Sequence, residues 1–254
     1  MTVLAVIPAR LGATRLPRKP LRLLAGAPLI VRVVERVQAL GVADHVVVAT
    51  DHEEVMTACH LRGIPVVMTD ADHPSGTDRV AEVMRRGDYA TASVILNVQG
   101  DEPFVSREAL AGAVGVVQSG LAPIGTAAVR ATPDVLVRPD VVKVVRTDAG
   151  HALYFSRAPI PFLRDSQDAS VLQGIIRQHI GVYAYTREAL ARWVSWSPHP
   201  LELTERLEQL RPLANGLAIG VADVPSAEGG IDTEEDLARA NARWSILIQS
   251  DTPS

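Results

Sequence analysis

The sequence predicts an α/β fold: a mostly parallel sheet with helices on both faces and an inserted antiparallel lobe. Three observations lead there. Short apolar runs alternate with helical segments through roughly the first hundred residues, the pattern of right-handed crossovers between parallel strands. From Gly125 to Tyr185 the apolar runs follow one another with no long helix between them, which reads as antiparallel. Helical segments return after Thr186.

With 254 residues, 47% hydrophobic and 21% charged, the chain can bury a substantial core. One domain over 1–254 is expected, with the antiparallel lobe at about 124–186 as a lid or dimer arm. No apolar run reaches the about 18–20 residues of a membrane span. No basic n-region precedes an apolar h-region, so no signal peptide is expected. Cys59 is the sole cysteine, which excludes an intramolecular disulfide and fits a reducing cytoplasm. The net charge of −4 argues against a protein that coats nucleic acid. An anionic ligand therefore needs a local cluster of cations.

Val3 to Ile7 reads as the first buried strand, stopped at Pro8, which cannot donate to a central ladder. The loop after it carries Arg10, Gly12, Arg15, Arg18 and Lys19, stiffened by Pro17 and Pro20. A helix is predicted over Leu29–Leu40. A strand feeding a cationic loop and then a helix makes a polyphosphate cradle, because backbone N–H groups and cations face the same anion. Lysine usage sharpens this. Only Lys19 and Lys143 are lysines among 25 Lys+Arg. A compact ammonium suits a phosphate oxygen where an arginine fork is too wide. The plain alternative is a solvated charged loop.

His45–Thr50 is the second predicted strand, followed by a helix from Asp51-His-Glu-Glu54 to about Gly63, with acids favoured in its first turn. Ile64–Met68 is the third. A polar loop, Thr69–Pro74, leads to Ser75-Gly-Thr-Asp-Arg79 and a helix over Val80–Arg86. Ser75 or Thr77 serves as N-cap. Capping does not account for Gly76, which lets backbone approach a ligand closely. Ser93–Val98 is the fourth strand and runs into Gln99-Gly-Asp101-Glu102-Pro103. Carboxylates just past a strand's C-terminal end lie where open α/β sheets bind ligands, and a hard cation bridging phosphates needs one or two of them. Asp101 is the candidate metal ligand, against a solvated turn; Glu102 is open between the two.

Ile124–Ala131, Val141–Arg146, Ala152–Phe155 and Ile175–Tyr185 read as strands, with Asp165–Gly174 a mobile polar connection. Helices are predicted at Arg187–Val194 and Leu201–Leu213, the latter with Leu203, Leu207 and Leu210 on one face and Glu205, Glu208 and Arg211 largely off it. Leu217–Val221 is a late strand. Gly229-Gly-Ile-Asp232 opens the last helix, where Asp232 with Glu235 forms a variant of the capping box. A competing reading brings Asp232 to the cationic loop beside Asp101. Two carboxylates facing a Lys/Arg loop suggest a Mg²⁺–nucleoside triphosphate site. Neither the Walker A pattern nor G-x-G-x-x-G is present.

The residues Ile7-Pro-Ala-Arg10, Thr14-Arg-Leu-Pro17 and Lys19-Pro-Leu21 resemble the signature of the sugar-acid cytidylyltransferases, most of all the CMP-Kdo synthetase (3-deoxy-manno-octulosonate cytidylyltransferase) family. The resemblance continues in order through Ala49-Thr-Asp51, His73-Pro-Ser-Gly-Thr-Asp-Arg79, Asn97-Val-Gln-Gly-Asp-Glu-Pro103 and Val142-Lys-Val-Val145. It goes on in Tyr154-Phe-Ser-Arg-Ala-Pro-Ile-Pro161, His179-Ile-Gly-Val-Tyr183, Leu207-Glu-Gln-Leu-Arg211 and Gly230-Ile-Asp-Thr-Glu-Glu-Asp-Leu237.

The resemblance implies a Rossmann-like core, Mg²⁺ as cofactor and a homodimer through the antiparallel arm. The implied reaction joins CTP to Kdo, a 2-keto sugar acid, giving CMP-Kdo and pyrophosphate for lipopolysaccharide-type envelope synthesis. Carried over, Arg10, Arg15 and Lys19 hold the triphosphate. Ala9, Ser75, Gly76 and Gln99 surround the cytosine or the sugar edge. Asp101 and Asp232 hold Mg²⁺ and, with Lys19 and Arg15, form the implied catalytic set. Arg157, His179, Tyr183 and Glu208 line the sugar-acid pocket, with Arg79 and Arg164 near it. An arginine fork among mixed donors and acceptors suits a polyhydroxylated carboxylate. His179 has the alternative of a satisfied core histidine, and Tyr183 on the same face at i+4 favours the site. The family usually has glycine where Arg18 stands; if that position needs φ > 0, arginine strains the loop.

Other readings are a cytidylyltransferase for amino-Kdo or a sialic-acid-like acid, and a nucleotide-sugar-binding protein without turnover. A binder has little need of both Asp101 and Asp232. The missing glycine motif disfavours an NAD-dependent dehydrogenase.

Overall fold

The computed structural model describes residues 1–12, 15–164 and 174–250. The connection expected at 165–174 lies, up to residue 173, outside them. In chain order come β1 (Val3–Ala9), β2 (Leu23–Leu24), β3 (Ala27–Pro28), α1 (Leu29–Leu40), β4 (His45–Thr50), α2 (Glu53–His60), β5 (Val66–Met68), α3 (Gly76–Met84), β6 (Val94–Asn97) and α4 (Arg107–Gln118). Then follow β7 (Ile124–Arg130), β8 (Lys143–Arg146), β9 (Ala152–Ser156), β10 (Arg177–Thr186), α5 (Arg187–Ser195), α6 (Pro200–Glu205), α7 (Leu210–Ala214), β11 (Ile219–Val224) and α8 (Glu234–Ser250). This is the mixed α/β fold the sequence predicts. Its contacts divide the chain into two compact units: residues 3–91, 97–105 and 228–254, and residues 1–2, 92–96 and 106–227.

In the first unit β1, β4 and β5 run parallel, with Ala5 opposite Val46 and Val48 opposite Val66. Leu4 to Ile7 have no exposed surface, as a parallel strand covered on both faces requires. The strand does not stop at Pro8: it continues to Ala9, with Pro8 opposite Ala49. Proline removes one donor but keeps its carbonyl, a small loss near a strand end. Helix α1 buries Ile30, Val33, Val34 and Val37 and stops at Gly41, whose φ of 62° glycine adopts without penalty. Helix α3 starts earlier than predicted because Ser75 is its cap; Oγ accepts from the Asp78 N–H at 3.2 Å.

In the second unit the strand order is β11-β7-β10-β6. β7 runs parallel to β11 and antiparallel to β10, and β8 pairs antiparallel with both β10 and β9. The helix that follows the fourth strand, to which the sequence assigns no bounds, is α4, and Ser106 caps it by accepting from the Ala109 N–H at 3.1 Å. It packs so closely on β7 that a Cβ on Gly125 would lie 2.1 Å from the Ala113 carbonyl oxygen. The single helix predicted over Leu201–Leu213 is two, α6 and α7, parted by Arg206 at φ 55°. Leu207 and Leu210 are buried as expected, but Leu203 faces solvent. The buried Glu202–Arg211 pair holds the break, with Nε and NH2 of Arg211 donating at 2.8 and 2.6 Å.

Candidate active site

In the first unit the cationic loop and the two acids converge on one atom. Lys19 Nζ donates to Asp232 Oδ1 at 2.8 Å and also bonds Asp101 Oδ2. Arg15 adds an ion pair to Asp232 Oδ2 at 3.0 Å. Burial opposes the charge on Lys19, but Asp101 and Asp232 together outweigh it and hold the ammonium above its usual pKa. Beside them, burial and then the charge on Asp101 push the Glu102 carboxyl up to about 8.

Local structure explains the convergence. Asp101 follows β6 through Gly100, where any Cβ would sit 2.7 Å from the Pro8 carbonyl oxygen. The Ile231 N–H donates to the Asp101 carbonyl at 2.9 Å, tying the Asp232 segment alongside. Asp232 is not the helix cap that its sequence neighbourhood suggests. Thr233 Oγ1 accepts from the Asp236 N–H at 3.1 Å, while Asp236 Oδ2 accepts from the N–H groups of Thr233 and Asp232 at 2.9 and 3.1 Å. The capping box lies one residue further along, and the Asp232 carboxylate is left to the cations.

Arg18 stands at φ 57°, ψ 30°, so the position does require a left-handed backbone. Its guanidinium pairs with Glu54. Arg10, just past β1, donates to the His73 carbonyl at 3.3 Å, which joins the basic loop to the segment before Ser75. Gly76 lies against Pro8, where an added Cβ would meet Pro8 Cγ at 3.4 Å. Ala9 is buried and Gln99 half-buried. Arg79 has no exposed surface; it donates to Asp51 Oδ2 at 2.7 Å and to Thr69 Oγ1. That makes Arg79 a brace between β4 and the loop after β5.

Glu82 of α3 belongs to none of the motifs that single out the site in the sequence. It accepts from His73 Nε2 at 2.7 Å, from the Asp70 N–H at 2.9 Å and from Arg86 at 2.8 Å. Burial works to raise its pKa, yet these three donors hold it down at about 2. Its signal was its place on α3, one turn beyond Asp78, facing back over the loop that it closes.

Apart from Arg79, the residues implied for the sugar-acid pocket lie in the second unit. His179 and Tyr183 stand opposite Ala128 and Thr126, which share one face of β7. The register shifts between Ile180 and Tyr183, and the bulge adds residues in a pair, so the alternation survives. The two rings lie 5.4 Å apart, with Phe155 5.0 Å from His179 and Trp193 6.0 Å from Tyr183. Thr126 stitches the bulge: Oγ1 donates to the Val182 carbonyl at 2.7 Å and lies 3.0 Å from His179 Nε2. A single hydroxyl proton spent on Val182 assigns the imidazole proton to Nε2. Burial lowers the His179 pKa to about 3, so its ring is neutral. Burial raises the Tyr183 pKa, with Tyr185 and Glu208 adding to it.

Arg157 is held at both ends of its side chain. Its N–H donates to Glu205 Oε2 at 2.9 Å, Nε to the Glu205 carbonyl at 2.9 Å and NH1 to the Pro139 carbonyl at 3.0 Å. Glu208 is half-buried and Arg164 exposed. Glu205 is an acid that bonds Arg157 directly.

Among the described residues no three His, Cys, Asp or Glu side chains cluster as metal ligands. Two carboxylate oxygens do converge on the Lys19 ammonium, and Mg²⁺ takes one or two carboxylates, completing its shell with phosphates and water. The donor set fits that ion. No helix among the described residues is long and apolar enough to cross a membrane.

Comparison with known proteins gives the chain's family and fold. A family model described as cytidylyltransferase matches residues 4–219. A 3-deoxy-manno-octulosonate cytidylyltransferase of Gemmatimonas aurantiaca is 72% identical over 97% of this chain and 96% of its own. One from Acidobacterium capsulatum is 44% identical over 93% and 94%. The structure of a CMP:2-keto-3-deoxy-manno-octonic acid synthetase complexed with CTP superposes with a TM-score of 0.89 at 35% identity, covering 97% of this chain and 100% of that one. A 4-diphosphocytidyl-2C-methyl-D-erythritol synthase from Anaerococcus prevotii, 13% identical with a TM-score of 0.59 over 96% and 98%, shares the fold. This chain belongs to the cytidylyltransferase family, among the 3-deoxy-manno-octulosonate cytidylyltransferases.

Proposed function

We propose that the protein transfers CMP from CTP to 3-deoxy-manno-octulosonate, releasing pyrophosphate, as a step in lipopolysaccharide-type envelope synthesis. The observation that carries this is the convergence of Lys19, Asp101 and Asp232 beside Arg15. Asp101 and Asp232 would hold Mg²⁺, which when bound neutralises phosphate charge and acidifies a nearby hydroxyl. Arg10, Arg15 and Lys19 bind the triphosphate and stabilise charge on the departing pyrophosphate. Backbone at Ala9, Gly76 and Gln99, with Ser75, receives the nucleoside. Arg157 recognises the sugar's carboxylate, and His179, Tyr183 and Glu208 bind its hydroxyls. A neutral His179 whose Nε2–H is spent on Thr126 offers Nδ1 as an acceptor. Arg79 is withdrawn from substrate by its burial, and serves to brace the loop before Ser75. We take the protein to be a cytoplasmic homodimer.

The test is direct. CTP, Mg²⁺ and 3-deoxy-manno-octulosonate should give pyrophosphate, and EDTA should stop it. CTP binding without product, across a panel of 2-keto sugar acids, would count against turnover.

A further inference from the structure

Lys143 is the second of the chain's two lysines, and it has no exposed surface. All three of its N–H donors go to main-chain carbonyls: Arg138 at 2.9 Å, Val141 at 2.8 Å and Arg157 at 2.5 Å. Among the described residues no carboxylate forms an ion pair with it. Burial pulls its pKa below the ordinary lysine value, with Asp140 acting the other way from longer range.

A buried ammonium without a contacting counter-ion is costly, and an apolar side chain of similar length would avoid that cost. What the ammonium does here is knit two segments. One is the turn at Arg138–Val141; the other is the residue leaving β9, Arg157. The guanidinium of Arg157 in turn rests on the Pro139 carbonyl, inside the first segment. Arg157 is thus fixed at its carbonyl by Lys143, at its N–H by Glu205 and along its side chain by Glu205 and Pro139. Arginine could not replace this lysine, since a planar fork cannot cap three carbonyls arranged around one nitrogen.

We propose that Lys143 is a positioning residue for Arg157, and that through it this buried charge sets the affinity for the acidic sugar substrate. The inference rests on the proposed function, which gives Arg157 the sugar carboxylate to bind. Placement errors of an ångström at a substrate-orienting group cost up to about a hundredfold.

The experiment is steady-state kinetics of Lys143→Met with each substrate varied in turn. The expected result is a KM for the sugar acid raised about tenfold or more, with kcat and the KM for CTP within about twofold of wild type. Wild-type KM for the sugar acid in a folded Lys143→Met protein overturns the proposal. So does an equal rise in both KM values, the mark of general loosening. If Lys143→Met does not fold by circular dichroism, Glu205→Gln gives the readout. It weakens the other tether of Arg157, and the same one-sided rise is expected; an unchanged KM for the sugar acid overturns the proposal. Failure of the underlying reading is separate, because it appears in the wild type as no turnover of any sugar acid.

Discussion

Asp101 and Asp232 share one ammonium: both carboxylates accept from Lys19 Nζ, the second at 2.8 Å. Charges of opposite sign so arranged are held by the fold rather than by chance encounter of flexible side chains. Asp101 is fixed by the tight passage at Gly100 and Asp232 by the displaced capping box at Thr233.

Asp101→Asn keeps the shape and removes the charge. We expect a fall in kcat of about a hundredfold or more with CTP and Mg²⁺. A near-wild-type rate in the pyrophosphate-release assay would remove Asp101 from the site.

Arg18 occupies a left-handed position and pairs with Glu54 on the surface. Arg18→Gly relieves the backbone while losing a screened ion pair. Thermal melts should show a small change, and the KM for CTP should stay at the wild-type value. A large rise in that KM would show that Arg18 contacts the triphosphate.

Glu82 faces His73, Arg86 and the Asp70 N–H, and its folded pKa is about 2 against an ordinary 4.5. A carboxyl with a depressed folded pKa adds stability above its unfolded pKa and loses it as pH falls. The stability difference between wild type and Glu82→Gln should therefore be full above about pH 5 and should fade between 4.5 and 2. Denaturant melts at a series of pH values read it; a difference that does not change with pH would contradict the assignment.

Desolvation holds His179 neutral, with a folded pKa of about 3 against 6.5. The unfolded imidazole takes up a proton first, so this residue lowers stability as pH falls from 6.5 towards 3. His179→Gln should flatten that part of the stability curve. NMR of the ring should show no titration near pH 6.5 in the folded protein, and a normal titration there would refute its burial as neutral imidazole.

Much of the architecture was written locally. The apolar run of β1, the Leu29–Leu40 helix and its Gly41 stop, and the Ser75 cap are short-range consequences of side-chain pattern and backbone preference. The cation-rich loop and Asp101 were legible for the same reason: a strand end followed by charge is a local motif. The break between α6 and α7 was not, because Leu203, Leu207 and Leu210 satisfy helical spacing and only the buried Glu202–Arg211 pair opposes it.

The amino-acid order by itself determined the α/β class, the basic loop after β1 and the family to which its motifs belong. Tertiary structure alone decided that Asp232 faces Lys19 instead of capping α8, that Arg79 is a buried brace, and that Lys143 grips three carbonyls. Each of those outcomes depends on which group, among several chemically adequate partners, is brought within about 3 Å, a matter of hydrogen-bond reach that only the folded chain fixes.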